Sequence, residues 1–193
     1  MSSPRVLIVY GSSYGQTARI AARIRHLLTE HGFVVTLRRG EDVPADFSAA
    51  GFDGILVGGS MIRRKYQKSI RRFVERHVTL LNVLPSGFFA VSGAAGSREP
   101  RGRVEAQRLM HGFCTRAGWT PQLSASMAGA IAYTKYNPLL RWMMKRISAA
   151  EGGSTDTSRD HEYTDWNQVA EFAAEFAALV ESPEPAVEPV PAG

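Results

Sequence analysis

Short, uninterrupted apolar runs alternate along this chain with stretches of helical periodicity. That alternation marks βαβ units and a parallel sheet. Strand patterns cover Arg5–Tyr10, Val34–Arg38, Gly54–Gly58 and Gly87–Ser92, with a fifth strand inside Gln122–Ala132. The GILVG run at Gly54–Gly58 is apolar throughout, as expected of a strand covered on both faces. Between the strands, Gln16–His31 places Ile20, Ala21, Ile24, Leu27 and Leu28 on one helix face, with Gly32 as its stop. A basic amphipathic helix spans Tyr66–Leu81 and turns Ile70, Phe73, Val74 and His77 inward. Arg103–Ala117 buries Ala106, Leu109, Met110, Phe113, Cys114 and Ala117 and ends at Gly118. The last helix, Trp166–Val180, buries Val169, Phe172, Ala173, Phe176 and Val180, with Asp165 and Gln168 spaced as an N-terminal capping box. Five strands joined this way predict an α/β, doubly wound five-stranded parallel sheet of order 2-1-3-4-5. A helical insertion, residues 133–163, precedes the last helix. Residues 1–181 are read as one domain, and the Pro-rich tail 182–193 is expected to be disordered.

With 193 residues the chain is long enough to bury one sizeable core. Its apolar runs fall short of the roughly 18 residues of a bilayer-spanning helix. The start MSSPR passes into a strand without a signal-peptide pattern, and the single cysteine, Cys114, excludes an intrachain disulfide. Both point to the cytoplasm. Cys114 lies on an apolar helix face and is read as a buried structural thiol. Lys and Arg number 23 against 18 acids, a net charge of +5. Setting aside Glu181, at the end of the last helix, with Glu184 and Glu188 of the tail leaves 15 acids, a balance of +8 on the rest. Such a surface favours anionic partners. No aromatic–basic RNA motif or helix-turn-helix is present, so nucleic acid is not the expected partner.

The first strand ends at Tyr10 and runs through Gly11-Ser12-Ser13-Tyr14-Gly15 into a helix opening at Gln16-Thr17. Unpaired N–H groups at a helix N-terminus hold a phosphate dianion without help from Lys or Arg. Ser12, Ser13 and Thr17 add hydroxyl donors, and Gly15 permits close backbone approach. Neither GxGxxG nor GxxxxGK[ST] is present, which favours a mononucleotide. Residues Ile8–Ala21, with Tyr10, Ser12, Gly15, Thr17 and Ala21, resemble the phosphate loop of the flavodoxins. The resemblance implies FMN, with the phosphate held by Ser12, Ser13, Tyr14, Gly15, Gln16 and Thr17. It also places the flavin ring between two loops. One holds Ser60, Met61, Ile62 and Arg63 with Tyr66; the other holds Ser92, Gly93, Ala94, Ala95 and Gly96. Two readings of Tyr66 stand: a stacking partner, or an ordinary helix aromatic. Arg63 and Arg64 either stabilise a reduced flavin or substrate carboxylate, or are solvated.

Electron-carrying flavodoxins are typically acidic, whereas this chain is basic. Within the insertion, Asn137 and Pro138 read as N-cap and first residue of a helix. Leu139, Leu140, Met143, Met144 and Ile147 share one arc, opposite Arg141, Lys145 and Arg146. Such a helix can rest on an anionic membrane, lid an apolar acidic substrate, or cover the sheet edge. Gly152-Gly153-Ser154-Thr155-Asp156-Thr157 and Tyr163-Thr164-Asp165-Trp166 follow. Together with Gly15-Gln16-Thr17, Ser60, Ile62-Arg63, Ala128-Gly129-Ala130, Tyr133 and Tyr136, they resemble the flavodoxin-type, menaquinone-dependent protoporphyrinogen oxidases. That resemblance implies oxidation of protoporphyrinogen IX with electrons passed to menaquinone, peripherally at the inner face of the cell membrane. It offers Arg64, Lys65, Arg141, Trp142, Lys145 and Arg146 as substrate or membrane contacts. The flavin is expected to carry the chemistry, no catalytic side chain is assigned, and no metal site is expected. Dispersed His26, His31, His77, His111 and His161 are read as structural or surface residues. The loop SGAAGSREPRGR is smaller and richer in glycine than the family suggests, which leaves open a quinone or other small-molecule oxidoreductase, or a non-enzymatic flavodoxin-type electron carrier or regulatory domain. The oligomeric state is not legible.

Overall fold

The computed structural model describes residues 3–97, 99–150 and 152–182; the tail from 183 onward, where disorder is expected, lies outside the described residues. Five parallel strands form the central sheet: β1 (Arg5–Gly11), β2 (Val34–Arg39), β3 (Gly54–Ser60), β4 (Ser86–Ser92) and β5 (Leu123–Ala128). They lie in the order β2-β1-β3-β4-β5, as expected from the alternation of the sequence. The α1 (Gln16–Glu30), α2 (Lys68–Val83), α3 (Pro100–Ala117), α4 (Pro138–Ala150) and α5 (Trp166–Glu181) helices complete the fold with a short antiparallel pair, β6 (Ala130–Ile131) and β7 (His161–Glu162).

β1 shows why its apolar run is unbroken. Successive side chains in a strand point to opposite faces. Val6 and Ile8 pack with Ile20, Ile24 and Phe176 on the α1/α5 side, whereas Leu7 and Val9 pack with Ile70, Phe73 and Phe113 on the α2/α3 side. Both faces are dry, so both parities must be apolar. The glycines of β3 have a packing reason. A Cβ on Gly58 would lie 2.1 Å from Phe89 Cζ, and one on Gly54 would lie 2.6 Å from Val180 Cγ2. The side chains of β4 and α5 therefore occupy space that any larger residue in β3 would need.

Some boundaries differ from the periodicity, for local reasons. α2 begins at Lys68, because residues 62–65 close a tight turn and Tyr66 and Gln67 are still outside the helix. α3 begins at Pro100, whose missing N–H costs nothing in a first turn. Asp165 caps α5 by accepting from Asn167 N at 2.9 Å and Gln168 N at 3.3 Å. The Gln168 amide nitrogen donates to Ser126 O at 3.4 Å, tying the first turn of α5 to β5. Asn137 caps α4, its Oδ1 accepting from Leu140 N at 2.8 Å.

The excursion from the minimal fold begins at β6, just past the end of β5, and returns through β7. Its root is fastened to α1. Gln16 Nε2 donates to Glu162 Oε1 at 3.1 Å and to Thr164 Oγ1 at 2.8 Å, and Arg19 pairs with Glu162 at 2.6 Å. Thr164 in turn donates to Ala128 O at 2.9 Å. The GGSTDT and YTDW strings thus build the base of the insertion. Gly152 takes a left-handed φ of 71°, Ser148 Oγ donates to Ser154 O, and Tyr163 OH accepts from Ser154 N.

Candidate active site

A cleft of about 1090 Å³ opens at the carboxyl ends of β1, β3 and β4, where a doubly wound sheet binds its ligands. Its floor is the β1–α1 loop. Gly15 sits at the N-cap of α1 with φ 102°, a left-handed conformation that turns the chain sharply into the helix. Its N–H donates to Ser12 Oγ at 3.0 Å. Thr17 is 1% exposed, yet its Oγ1 has no hydrogen-bond partner among the described residues. An unsatisfied buried hydroxyl costs about 1–3 kcal/mol. With the free N–H groups of the first helical turn, it makes a donor set suited to a phosphate. Ser13 is turned away from this cradle. Its hydroxyl and N–H both lie 3.3 Å from Ser60 Oγ, and Gln67 Nε2 donates to Ser13 Oγ at 2.9 Å. Gln67, which sequence reasoning passed over, therefore ties the loop after β1 to the loop after β3.

The expected ring loops form facing walls. Ser60, Met61, Ile62, Arg63 and Arg64 line one side, and Ser92, Gly93, Ala94, Gly96 and Ser97 the other. Ala95 belongs to the second loop but not to the wall; its N–H donates to Ser92 Oγ at 3.1 Å. Met61 N donates to Val91 O at 2.8 Å and fastens the start of the first loop to the end of β4. Ile62 and Lys65 exchange paired backbone hydrogen bonds of 3.0 Å around Arg63 and Arg64, whose φ angles are 49° and 64°. Turns with two positive φ angles are usually built from Asn and Gly. Two arginines there hold local strain on the order of 1–2 kcal/mol each, a feature that clusters at ligand sites. Lys65 serves this turn through its backbone and does not line the cleft.

Besides Ser13, Ala95 and Lys65, three further expectations are corrected. Tyr66 does not flank the cleft. It lies across the sheet, its ring centroid 5.3 Å from Phe88 and 4.8 Å from Phe113, and burial pushes its hydroxyl pKa well up. Gly59 makes room for it, since a Cβ there would touch Tyr66 Cδ1 at 2.8 Å. Arg141 is not on a free charged face. Its guanidinium donates to Tyr133 O at 3.0 Å and Tyr136 O at 3.2 Å and pins the turn before α4. Leu139 departs from its apolar arc and is 75% exposed.

α4 supplies the remaining wall, through Leu140, Met143, Met144 and Ile147, with Leu109 of α3 nearby. Its outer side carries Trp142, 58% exposed, with the Arg146 guanidinium 5.3 Å from the ring centroid, and exposed Lys145. The insertion also touches the phosphate loop. Lys135 Nζ donates to Tyr14 O at 2.9 Å, and the Tyr14 and Tyr136 rings meet edge to face at 4.8 Å. His161, read from sequence as structural or surface, lines the cleft while its Nε2 lies 2.7 Å from Asp156 O. Glu105 of α3 also reaches the wall, joined to Arg64 and, at 2.8 Å, to Arg108. Hydrogen bonds from Arg108, then the nearby Arg64 charge, hold its carboxyl below the usual range. Nothing in local periodicity marks Glu105 or His161 as cleft residues, since only the packing of α3 and β7 beside the loops brings them there. No cluster of His, Cys, Asp and Glu suited to a metal ion occurs among the described residues.

Fold, loop and cleft together define a protein of the flavodoxin class. The flavodoxin domain family matches residues 7–158. An archaeal flavodoxin superposes with a TM-score of 0.55 at 17% identity, covering 92% of this chain and 99% of that one. Flavodoxin 1 from Bacillus cereus gives 0.56 at 14%, covering 90% and 97%. Within that class the chain belongs to the family of the protoporphyrinogen IX dehydrogenases [quinone]. It is 34% identical to the Escherichia coli K12 enzyme over 183 residues, which span 93% of this chain and 98% of that one. The Leishmania major enzyme is 29% identical over 181 residues, 92% of this chain and 76% of that one.

Proposed function

We propose that this protein is an FMN-dependent dehydrogenase that oxidises protoporphyrinogen IX to protoporphyrin IX and passes the electrons to a quinone, with menaquinone as the physiological acceptor. One observation carries the reading: the cleft runs without a break from a phosphate cradle to an apolar wall contributed by the insertion. A site for a mononucleotide alone has no need of that wall. When bound, FMN supplies the hydride-accepting chemistry, and the protein supplies position and electrostatics. Ser12, Thr17 and the N–H groups of Tyr14, Gln16 and Thr17 hold the phosphate, with the Gly15 N–H fixing Ser12. The loops Ser60–Arg63 and Ser92–Gly96 hold the ring from either side. Leu140, Met143, Met144 and Leu109 exclude water and receive a flat apolar ligand. Arg63 and Arg64 meet the carboxylates of a tetrapyrrole, the kind of anion for which guanidinium geometry is suited.

The outer side of α4 fits an anionic membrane surface on the inner face of the cell membrane. Trp142 and Leu139 offer an apolar footing, and Lys145 and Arg146 offer charge. No helix among the described residues is long and apolar enough to cross a membrane. The protein would therefore bind there peripherally, where a lipid-soluble quinone is at hand.

The deciding experiment is anaerobic. FMN-loaded protein mixed with protoporphyrinogen IX should lose its oxidised-flavin absorbance, and a menaquinone analogue should restore it. A flavin that stays oxidised with this substrate would overturn the proposal. Replacing Leu139 and Trp142 with serine should lower sedimentation with anionic vesicles while FMN stays bound. Unchanged sedimentation would remove α4 as the membrane contact.

A further inference from the structure

Glu105 is out of place in a cleft meant for an acidic ligand. It is the single carboxylate among the described residues lining that cleft, and it stands opposite the two arginines of the strained turn. It pairs with Arg64 across the space between α3 and the β3 loop, and with Arg108 along its own helix at 2.8 Å and 3.2 Å. Arg108 alone would satisfy it, because an i, i+3 pair is a sufficient partner on a helix surface. The contact to Arg64 therefore needs a reason of its own. The Arg64 side chain is 64% exposed and that of Glu105 34%, so the pair is solvated. Solvated ion pairs are weak and exchange readily.

We infer that Glu105 is a specificity-determining residue: it occupies Arg64 until a ligand carboxylate takes the guanidinium, and so selects among acidic ligands. This rests on reading the cleft as a tetrapyrrole site. A small anion gains from Arg64 no more than it loses by displacing Glu105 and facing its charge. A ligand that also covers the apolar wall of Leu140, Met143 and Met144 can meet that cost. The fixed turn matters here. Arg63 and Arg64 are held by the Ile62–Lys65 backbone pair, so releasing Glu105 frees the Arg64 side chain without requiring the turn to unfold.

The test uses FMN-loaded, full-length protein and equilibrium binding of two probes, protoporphyrin IX and its dimethyl ester. The ester keeps the ring and removes both charges. Glu105→Gln keeps size and helix propensity. It should tighten the diacid roughly two- to fivefold, the range of a solvated charge contact, and leave the ester unchanged. Arg64→Ala should weaken the diacid and leave the ester unchanged. If Glu105→Gln shifts both probes by one factor, or shifts neither, Glu105 has a structural role only and the inference falls while the tetrapyrrole site stands. If the unaltered protein binds neither probe, the tetrapyrrole reading falls and takes the inference with it.

Discussion

Thr17 and Cys114 show what a buried polar side chain means when its surroundings are known. Thr17 Oγ1 is shut away from water with no partner, at the first turn of α1 beside Gly15. A hydroxyl in that state costs stability unless a ligand completes it. Thr17→Val should leave the apoprotein as stable or more so, and should weaken FMN binding about tenfold or more, the value of a hydrogen bond to a charged group. Flavin fluorescence quenching on titration into apoprotein measures it; equal affinities would remove Thr17 from the phosphate site. Cys114 is the contrary case. Burial pushes its thiol up to about 12, so almost no thiolate exists near neutral pH and the group packs as a small apolar residue. Iodoacetamide should leave native protein unmodified over hours and react after addition of urea. Fast native alkylation would contradict the burial.

At the scale of elements, β3 sets the tightest limits. The apolar run GILVG is legible as a buried strand, but what its glycines make room for is not. The neighbours show it. Phe89 is fully buried, and its ring fills the space above Gly58. Gly58→Ala should cost about 1–3 kcal/mol by overpacking, read from the urea midpoint. Replacing Phe89 by leucine in the same chain should recover part of that loss. Additive losses would mean that the two residues do not share this space. The α2 boundary teaches a related lesson. Periodicity carries the helix back to Tyr66, because Tyr66 and Ile70 share a helical face. The two-arginine turn at 63–64 delays the helix to Lys68, yet Tyr66 still packs on the Ile70 side, in the core beside Phe113.

Across the whole molecule, the insertion and the phosphate loop form one unit. Lys135 and Tyr136 rest on Tyr14, and Glu162 is held by Arg19 and Gln16 at the start of α1. Ligands that order the loop should therefore order the insertion, and the coupling is reciprocal. Adding FMN should slow hydrogen exchange in the Tyr133–Lys135 turn, and Lys135→Met should shrink that protection; exchange indifferent to FMN would refute the coupling. Acid should act on the same joint. Partial burial pushes the Glu162 carboxyl up, but hydrogen bonds from Arg19 and Gln16 outweigh it and hold the group below its ordinary range. A depressed pKa in the folded state contributes stability above the unfolded value, about 4.3 for glutamate. That contribution is lost as pH falls through the depressed value. Protection of the β6 and β7 amides, measured against the intrinsic exchange rate at each pH, should accordingly fall below about pH 4, and Glu162→Gln should flatten that fall.

Much of this protein is written locally. Alternation of apolar parity and helical period specifies the strands, the helices and the parallel sheet, because each element must bury its own apolar face. The loop from Ser12 to Thr17 is legible because a phosphate cradle needs only a strand end, a glycine and a helix start, all contiguous. The second half of the cleft is not contiguous. Leu140 and Met144 of α4, Leu109 and Glu105 of α3 and His161 of β7 come from separate segments. Their one-dimensional patterns state only which faces are apolar or charged, not what those faces meet. Arg141, offered by its pattern as a substrate or membrane contact, is taken by two carbonyls where the chain folds back before α4, and of the two readings of Tyr66 only packing, not stacking at the cleft, matches its place beside Phe88 and Phe113. The sequence by itself determined the sheet and the phosphate loop, since those depend on neighbours in the chain. Which side chains share the cleft was decided by tertiary packing, since that depends on neighbours in space.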